Sequence, residues 1–249
     1  LAEGIAAFAS LFPDSPITLR TTDFKTNEYM SLIGGKEYES AEANPMMGDR
    51  GVGRYIHPEN EESFMWELEA IRKAREMGYK NIHVMVPMVR DIEDLKDAYK
   101  IMAKAGLKKG EEGLKMGMMV ETPQNMIMLE EFADLVDFFS IGSNDLTQFI
   151  LAVDRDSEKL ASSPRYSENN PAVIKAIKDI IRRAKKCGVD IGICGQAPSK
   201  YPEFAKMLIE EEIDSMGVTP DTYLRTHRIV EQAEKSKNSK ASGSTILFP

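Results

Sequence analysis

Six short apolar runs rich in Val, Ile and Met alternate along this chain with amphipathic helical stretches, and that alternation leaves few folds open. A strand, a helix and a second strand in succession make a parallel pair with a crossover. The repeated pattern therefore means a parallel sheet covered by helices. The predicted strands are 17–19 (finishing on Arg20), 81–87, 116–120, 136–141, 189–193 and 215–218. Helical spacing is read over residues 1–12, ended by Pro13 and Pro16, over 61–77, ended by Gly78, and from the cap Asp91 to about Ala105. Thr122-Pro123, Asn170-Pro171 and Thr219-Pro220 each open a further helix with proline at its start. The Asn170 helix closes at Gly188, and another helix spans about 200–211. At 249 residues and 42% hydrophobic content the chain can bury a large core. Six units fit an open doubly wound sheet or part of an eight-fold barrel, and residues 1–234 are assigned to that domain. No G-x-G-x-x-G or P-loop follows any strand, which weakens the dinucleotide and nucleoside triphosphate readings.

Several function classes are set aside by composition. A net charge of -8 provides no basic excess for a general nucleic-acid binder, although local arginine clusters could still hold a small phosphorylated ligand. Two cysteines, Cys187 and Cys194, make no disulfide framework, so a reducing cytoplasm is the expected compartment. No apolar stretch approaches the length of a membrane span, so no membrane partner is expected. The opening Leu1-Ala2-Glu3-Gly4-Ile5 lacks a basic leader and reads as a chain entered in mid-helix. Residues 235–249 are Ser/Lys-rich and expected to be a flexible tail up to the apolar tip Ile246-Leu247-Phe248. The polar, irregular segment from Thr21 to Gly51 is longer than most loops in compact domains, and its glycines and arginines favour a functional role.

The chemistry is expected where the strands end. Polar groups follow successive strands at once: Arg20, Glu121, Asn144-Asp145 and Cys194. In a parallel barrel these positions share the C-terminal face. The centre is Phe139-Ser140-Ile141-Gly142-Ser143-Asn144-Asp145, an apolar run that stops at a glycine before a polar loop. Asp145 is a hard oxygen donor, Ser143 and Asn144 are neutral hydrogen-bonding groups, and Gly142 lets a ligand approach the backbone. Carboxylates from adjacent strand ends, Glu121 and Asp145, can hold a divalent cation such as Mg2+. Arginines supply forked donors for phosphate or carboxylate, and a thiol at a strand end can act as acid/base or nucleophile. Plainer readings stand beside these: an Asx cap at 143–145, a helix cap at Glu121, an inert buried Cys194. Cys187 is read as structural, the methionines of the strands as core filling, Trp66 as core or interface, and Glu210-Glu211-Glu212 as a solvated helix end.

The same stretches resemble the C-terminal, phosphoenolpyruvate (PEP)-binding domain of the PEP-utilising enzymes. The segments that carry the likeness are Arg20-Thr21-Thr22-Asp23-Phe24-Lys25-Thr26-Asn27-Glu28-Tyr29, Asn44-Pro45-Met46-Met47-Gly48-Asp49-Arg50-Gly51, Val86-Pro87-Met88-Val89-Arg90, Val120-Glu121-Thr122-Pro123, Gly142-Ser143-Asn144-Asp145-Leu146-Thr147-Gln148 and Cys194-Gly195-Gln196. Within the family, the Asp23 to Tyr29 segment, Gly-Ser-Asn-Asp and Cys-Gly-Gln are most similar to the phosphoenolpyruvate synthase (pyruvate, water dikinase) branch.

The resemblance implies a (β/α)8 TIM barrel, of which this chain would hold strands three to eight. It implies Mg2+ on Glu121 and Asp145. It also implies substrate contacts from Arg20, Gly142, Ser143, Asn144, Asp145 and Arg155, a loop contact from Arg50, and Cys194 as proton donor and acceptor. The implied reaction moves a phosphoryl group from a phosphohistidine to the enolate of pyruvate, overall ATP + pyruvate + water giving AMP + PEP + phosphate. The implied partners are pyruvate or PEP and the phosphohistidine and ATP-binding domains of a longer chain, in a homo-oligomer of two subunits or more.

The family's additional substrate arginine belongs to an earlier barrel strand that these residues do not include. By themselves they would leave strand edges unpaired, and poor solubility is expected. The rivals are pyruvate phosphate dikinase, separable by a requirement for phosphate; a metal–enolate lyase, against which the thiol counts; and a non-catalytic oligomerisation module, which would not need two carboxylates and a thiol at strand ends.

Overall fold

The computed structural model describes residues 1–242, so the expected tail tip Ile246-Leu247-Phe248 lies outside the described residues. The chain forms two compact units, Leu1–Phe138 and a second beginning at Phe139.

In the first unit, α1 (Ala2–Ser10) buries Ile5, Ala6 and Ala9 and leads into β1 (Ile17–Arg20). The segment expected to be irregular is partly ordered. It contains α2 (Thr26–Met30), and Glu42 ties its ends by accepting from the Thr26 hydroxyl at 2.8 Å and the Asp49 N–H at 3.1 Å. Contacts between residues so far apart leave no periodic trace in sequence, which is why the segment reads as a loop.

Next come α3 (Val52–Tyr55), α4 (Glu61–Glu76) and β2 (Ile82–Val86). Then follow α5 (Ile92–Lys104) and β3 (Met116–Val120), all five of whose residues are buried. Asp91 caps α5 by accepting the Glu93 N–H at 2.9 Å, as its position in sequence predicts. Met85, Met88, Met116, Met118 and Met119 are all core. Trp66, read as core or interface, is 64% exposed, because α4 buries Phe64, Leu68 and Ile71 instead. The helix expected after Pro123 is broken at Met128 into α6 (Pro123–Ile127) and α7 (Leu129–Ala133).

β4 (Phe138–Gly142), all but its first residue in the second unit, runs straight into α8 (Ser143–Leu151), followed by α9 (Glu158–Ala161). α10 (Pro171–Lys186) starts as expected, with Asn170 accepting the Ala172 N–H at 2.9 Å and proline in the first turn. After β5 (Asp190–Cys194) the single expected helix is two, α11 (Ala197–Lys200) and α12 (Pro202–Glu210), split at Tyr201 because Pro202 can only begin a new one. β6 (Ser215–Met216) and α13 (Tyr223–Ser242) complete the described chain. Glu211, expected to be solvated, accepts two bonds from Arg182 at 2.6 and 2.8 Å and lies 3.2 Å from Lys178. Cys187 is exposed at the C-cap of α10 rather than packed.

The strands follow chain order in one sheet, β1-β2-β3-β4-β5-β6. β1 with β2, β2 with β3, and β5 with β6 run parallel, Ile17 pairing with Ile82 and Arg20 with Met85. A doubly wound sheet would reverse its order at a switch point. An unbroken order with helical crossovers is that of a (β/α)8 barrel, six of whose strands are present here. Among the described residues no helix is long and apolar enough to cross a membrane.

Candidate active site

In the first unit the C-terminal ends of β1 and β3 carry the charged groups. Arg20 is the last residue of β1, half exposed, with its guanidinium 3.8 Å from Asp23. Asp23 is the hub of this cluster. Its side chain is 1% exposed and takes the fork of Arg50, Nε to Oδ1 at 2.9 Å and Nη2 to Oδ2 at 2.6 Å. Arg50 itself is 2% exposed, so it is a buried support within the expected loop. Asp23 and the Glu67 carboxylate, which also interacts with Arg20, face the two guanidinium groups, and the tip of Arg20 stays half exposed.

Gly51 makes the burial of Arg50 possible. Its φ is +58°, and a Cβ there would sit 2.6 Å from Met88 Cβ and 2.7 Å from the Pro87 carbonyl oxygen. The Val52 N–H donates to that same carbonyl at 3.1 Å, stitching the loop to the end of β2. Met88 has the left-handed φ of +50°. Its N–H donates at 2.6 Å to Oε1 of Glu121, which follows β3 and is 0% exposed. A non-glycine residue in this region is costly and tends to occur at functional sites. Glu121 is not the cap of the next helix. That role belongs to Thr122, whose hydroxyl accepts the Asn125 N–H, while Asn125 Oδ1 accepts the N–H groups of Glu121 and Thr122 at 3.2 and 3.1 Å.

In the second unit the polar loop expected at 142–145 is the first turn of a helix. Gly142, with φ −82° and ψ 76°, passes from β4 to α8 within one residue. No side chain caps this helix, so the Asx-cap reading falls. Asp145 lies in the first turn, where the helix dipole favours a carboxylate. It is 5% exposed, with Arg155 Nη2 3.8 Å from its Oδ1. The Arg155 backbone is held in turn, its N–H donating to Gln148 Oε1 at 3.1 Å.

Cys194 is the last residue of β5, half-buried rather than in an open loop. The Ser140 hydroxyl donates to its Sγ at 3.4 Å, and its thiol can donate to the Ile141 carbonyl at 3.6 Å. Ser143 Oγ lies 3.4 Å from the Cys194 carbonyl oxygen and donates to Glu168. A cavity of about 250 Å³ beside these groups is lined by Asn144, Arg155, Tyr166, Glu168, Gln196 and Lys200 among others, but not by Cys194. Burial pushes the Glu168 carboxyl above its usual range, against the hydrogen bonds from Ser143 and the Ala197 and Gln196 N–H groups and the charge of Lys200.

The first unit thus brings together Arg20, Asp23 and Arg50, and separately joins Glu121 to Met88. The second joins Asp145 to Arg155 and the thiol to Ser140. Asp23, Ser140 and Glu168 were not singled out by sequence reasoning as site residues. Asp23 and Ser140 lie inside the stretches it quoted, whereas Glu168, in Ser167-Glu168-Asn169-Asn170, sits in a polar turn with no periodic signal.

Among the described residues no three His, Cys, Asp or Glu side chains group as a metal cage. Magnesium keeps waters and substrate oxygens and takes one or two carboxylates, and each unit has a buried hard-oxygen donor of that kind, Glu121 in the first and Asp145 in the second.

Residues 1–235 match the family described as PEP-utilising enzyme, PEP-binding domain. Among curated relatives, a probable phosphoenolpyruvate synthase of Staphylothermus marinus is 50% identical over 94% of this chain. The phosphoenolpyruvate synthases of Aeropyrum pernix and Escherichia coli are 48% and 44% identical, also over 94% of the chain. The chain spans only 28%, 29% and 30% of the length of these three relatives.

Proposed function

The chain belongs to the PEP-utilising enzymes, as a PEP-binding domain, and on that premise we propose that it is the half of a phosphoenolpyruvate synthase that binds pyruvate and makes PEP. A phosphohistidine on another domain of the full-length protein gives up its phosphoryl group: the N–P bond breaks, and a bond from phosphorus to the enolate oxygen of pyruvate forms. The observation that carries this reading is Cys194, a half-buried thiol at a strand end with a hydroxyl donor on its sulfur. The keto form of pyruvate offers no oxygen nucleophile, so a methyl proton has to leave before the phosphoryl group can be accepted.

In this reading Cys194 Sγ takes that proton, and in the reverse direction returns it. The Ser140 hydroxyl, donating to the sulfur, helps hold it at the strand end. Arg20, whose guanidinium is half exposed at the end of β1, binds the moving phosphoryl group. Arg155 and the first turn of α8, from Gly142 through Asn144, orient the substrate carboxylate. Glu121 and Asp145 would hold Mg2+, which when bound would supply positive charge to the oxygen that becomes negative. Glu121 is oriented by the Met88 N–H and Asp145 by Arg155.

The test is made in the full-length protein. Cys194→Ala is expected to abolish exchange of the pyruvate methyl protons with solvent, while ATP-driven phosphorylation of the histidine survives. Exchange that persists in this variant removes Cys194 from the role.

A further inference from the structure

We propose that Glu168 is a positioning residue that ties the first turn of α8 at Ser143 to the backbone behind the Cys194 thiol. Two observations place this buried carboxylate: it accepts from the Ser143 hydroxyl, which also lies 3.4 Å from the Cys194 carbonyl oxygen, and its Oε1 lies against the Gly195 backbone. Ser143 belongs to the element that carries Asn144 and Asp145, and Gln196 follows Cys194 by two residues. The neighbouring glycine has no room for a side chain, because a Cβ on Gly195 would overlap Ser143 Oγ and crowd Glu168 Oε1. The Ser143–Glu168 pair therefore occupies the space beside the Gly195 backbone, one residue on from Cys194.

Retaining a carboxylate here despite its desolvation is costly, and the hydrogen bond from Ser143 offsets part of that cost. Removing it leaves the buried Ser143 hydroxyl without that acceptor, and the segment after Cys194 loses a packing partner that links it to α8.

The consequence for catalysis rests on the role proposed above for Cys194, so the experiment has one arm that depends on that role and one that does not. In the full-length protein, alkylation of Cys194 by iodoacetamide is followed by peptide mass spectrometry, with the exposed Cys187 as internal reference. Glu168→Ala is expected to raise the Cys194 rate about tenfold and leave Cys187 unchanged, because a released segment opens the thiol to reagent. The kcat of pyruvate methyl-proton exchange is expected to fall about 100-fold, the scale of a misplacement near 1 Å. Glu168→Gln keeps the shape and one acceptor oxygen, and is expected to recover at least about tenfold of that loss.

Alkylation and exchange at the parent's rates in Glu168→Ala overturn the proposal. If the alanine variant does not fold, Ser143→Ala, which removes the donor to Glu168, decides by its alkylation: a rise at Cys194 alone supports the tie, and the parent's rate overturns it. A parent that shows no exchange at all overturns the assigned reaction, and the alkylation arm still decides the role of Glu168.

Discussion

Asp23 faces two arginines from a side chain that is 1% exposed, and the two pairings differ in kind. With Arg20 it makes a 3.8 Å contact to a half-exposed group, worth little in stability but enough to aim a charge. With Arg50 it makes a buried two-point fork, where losing one partner strands a desolvated charge. Asp23→Ala is therefore expected to destabilise the protein by about 3 kcal/mol, and Asp23→Ala with Arg50→Met by less than the single change. Denaturant midpoints for the two variants check this, and a double variant no better than the single would mean the fork is not what Asp23 contributes. Glu121 makes the same point with another partner: a backbone N–H 33 residues away turns it toward the strand end and leaves capping to Thr122.

At the scale of elements, the ends of β2 and β3 are organised by backbone geometry. Gly51 packs against Pro87 and Met88, and Met88 turns its N–H toward Glu121 by adopting a left-handed conformation. Gly51→Ala adds a methyl where there is no space and at a φ that alanine disfavours. It is expected to cost about 1–3 kcal/mol and to loosen the segment that holds Arg50. Hydrogen exchange at the Val52 amide, which donates to Pro87, reads the local effect. Exchange as slow as in the parent would place the strain elsewhere. In the second unit the equivalent economy is at Gly142, where strand becomes helix within one residue, so that Ser143, Asn144 and Asp145 present both side chains and helix N-terminal amides.

At the scale of the whole molecule, stability should carry the sign of its buried carboxyls. Burial raises the Glu67 carboxyl above its ordinary value of 4.5, outweighing the hydrogen bonds from the Thr22 hydroxyl and N–H and the charge of Arg20. Its native form thus binds a proton more tightly than its unfolded form. The stability it contributes is complete below about 4.5 and is lost as the pH rises through its raised value. Glu168 acts in the same direction. Glu67→Gln is expected to flatten the pH dependence of the denaturant midpoint between pH 7 and the ordinary carboxyl value, and an unchanged slope would show that Glu67 titrates normally. The chain also spans under a third of the length of the relatives compared with it, and the proposed reaction draws its phosphoryl group from outside these residues.

The strands, the helices that begin at Pro171 and after Asp91, and the positions of Arg20, Glu121, Asp145 and Cys194 at strand ends could all be read from the chain itself. Alternation, prolines and caps are local signals, and a polar residue just after an apolar run marks a strand end without any knowledge of neighbours. The pairings could not be read in this way. Arg50 with Asp23, Met88 with Glu121 and Ser143 with Glu168 join residues 27, 33 and 25 positions apart. Trp66 faces outward and Glu211 inward for the same reason: burial is decided by what the rest of the chain brings to each side of an element. Sequence by itself determined the residue types available at the strand ends. Tertiary structure decided which of them are held and by which partner, because a hydrogen bond depends on distance in space and periodicity records only distance along the chain.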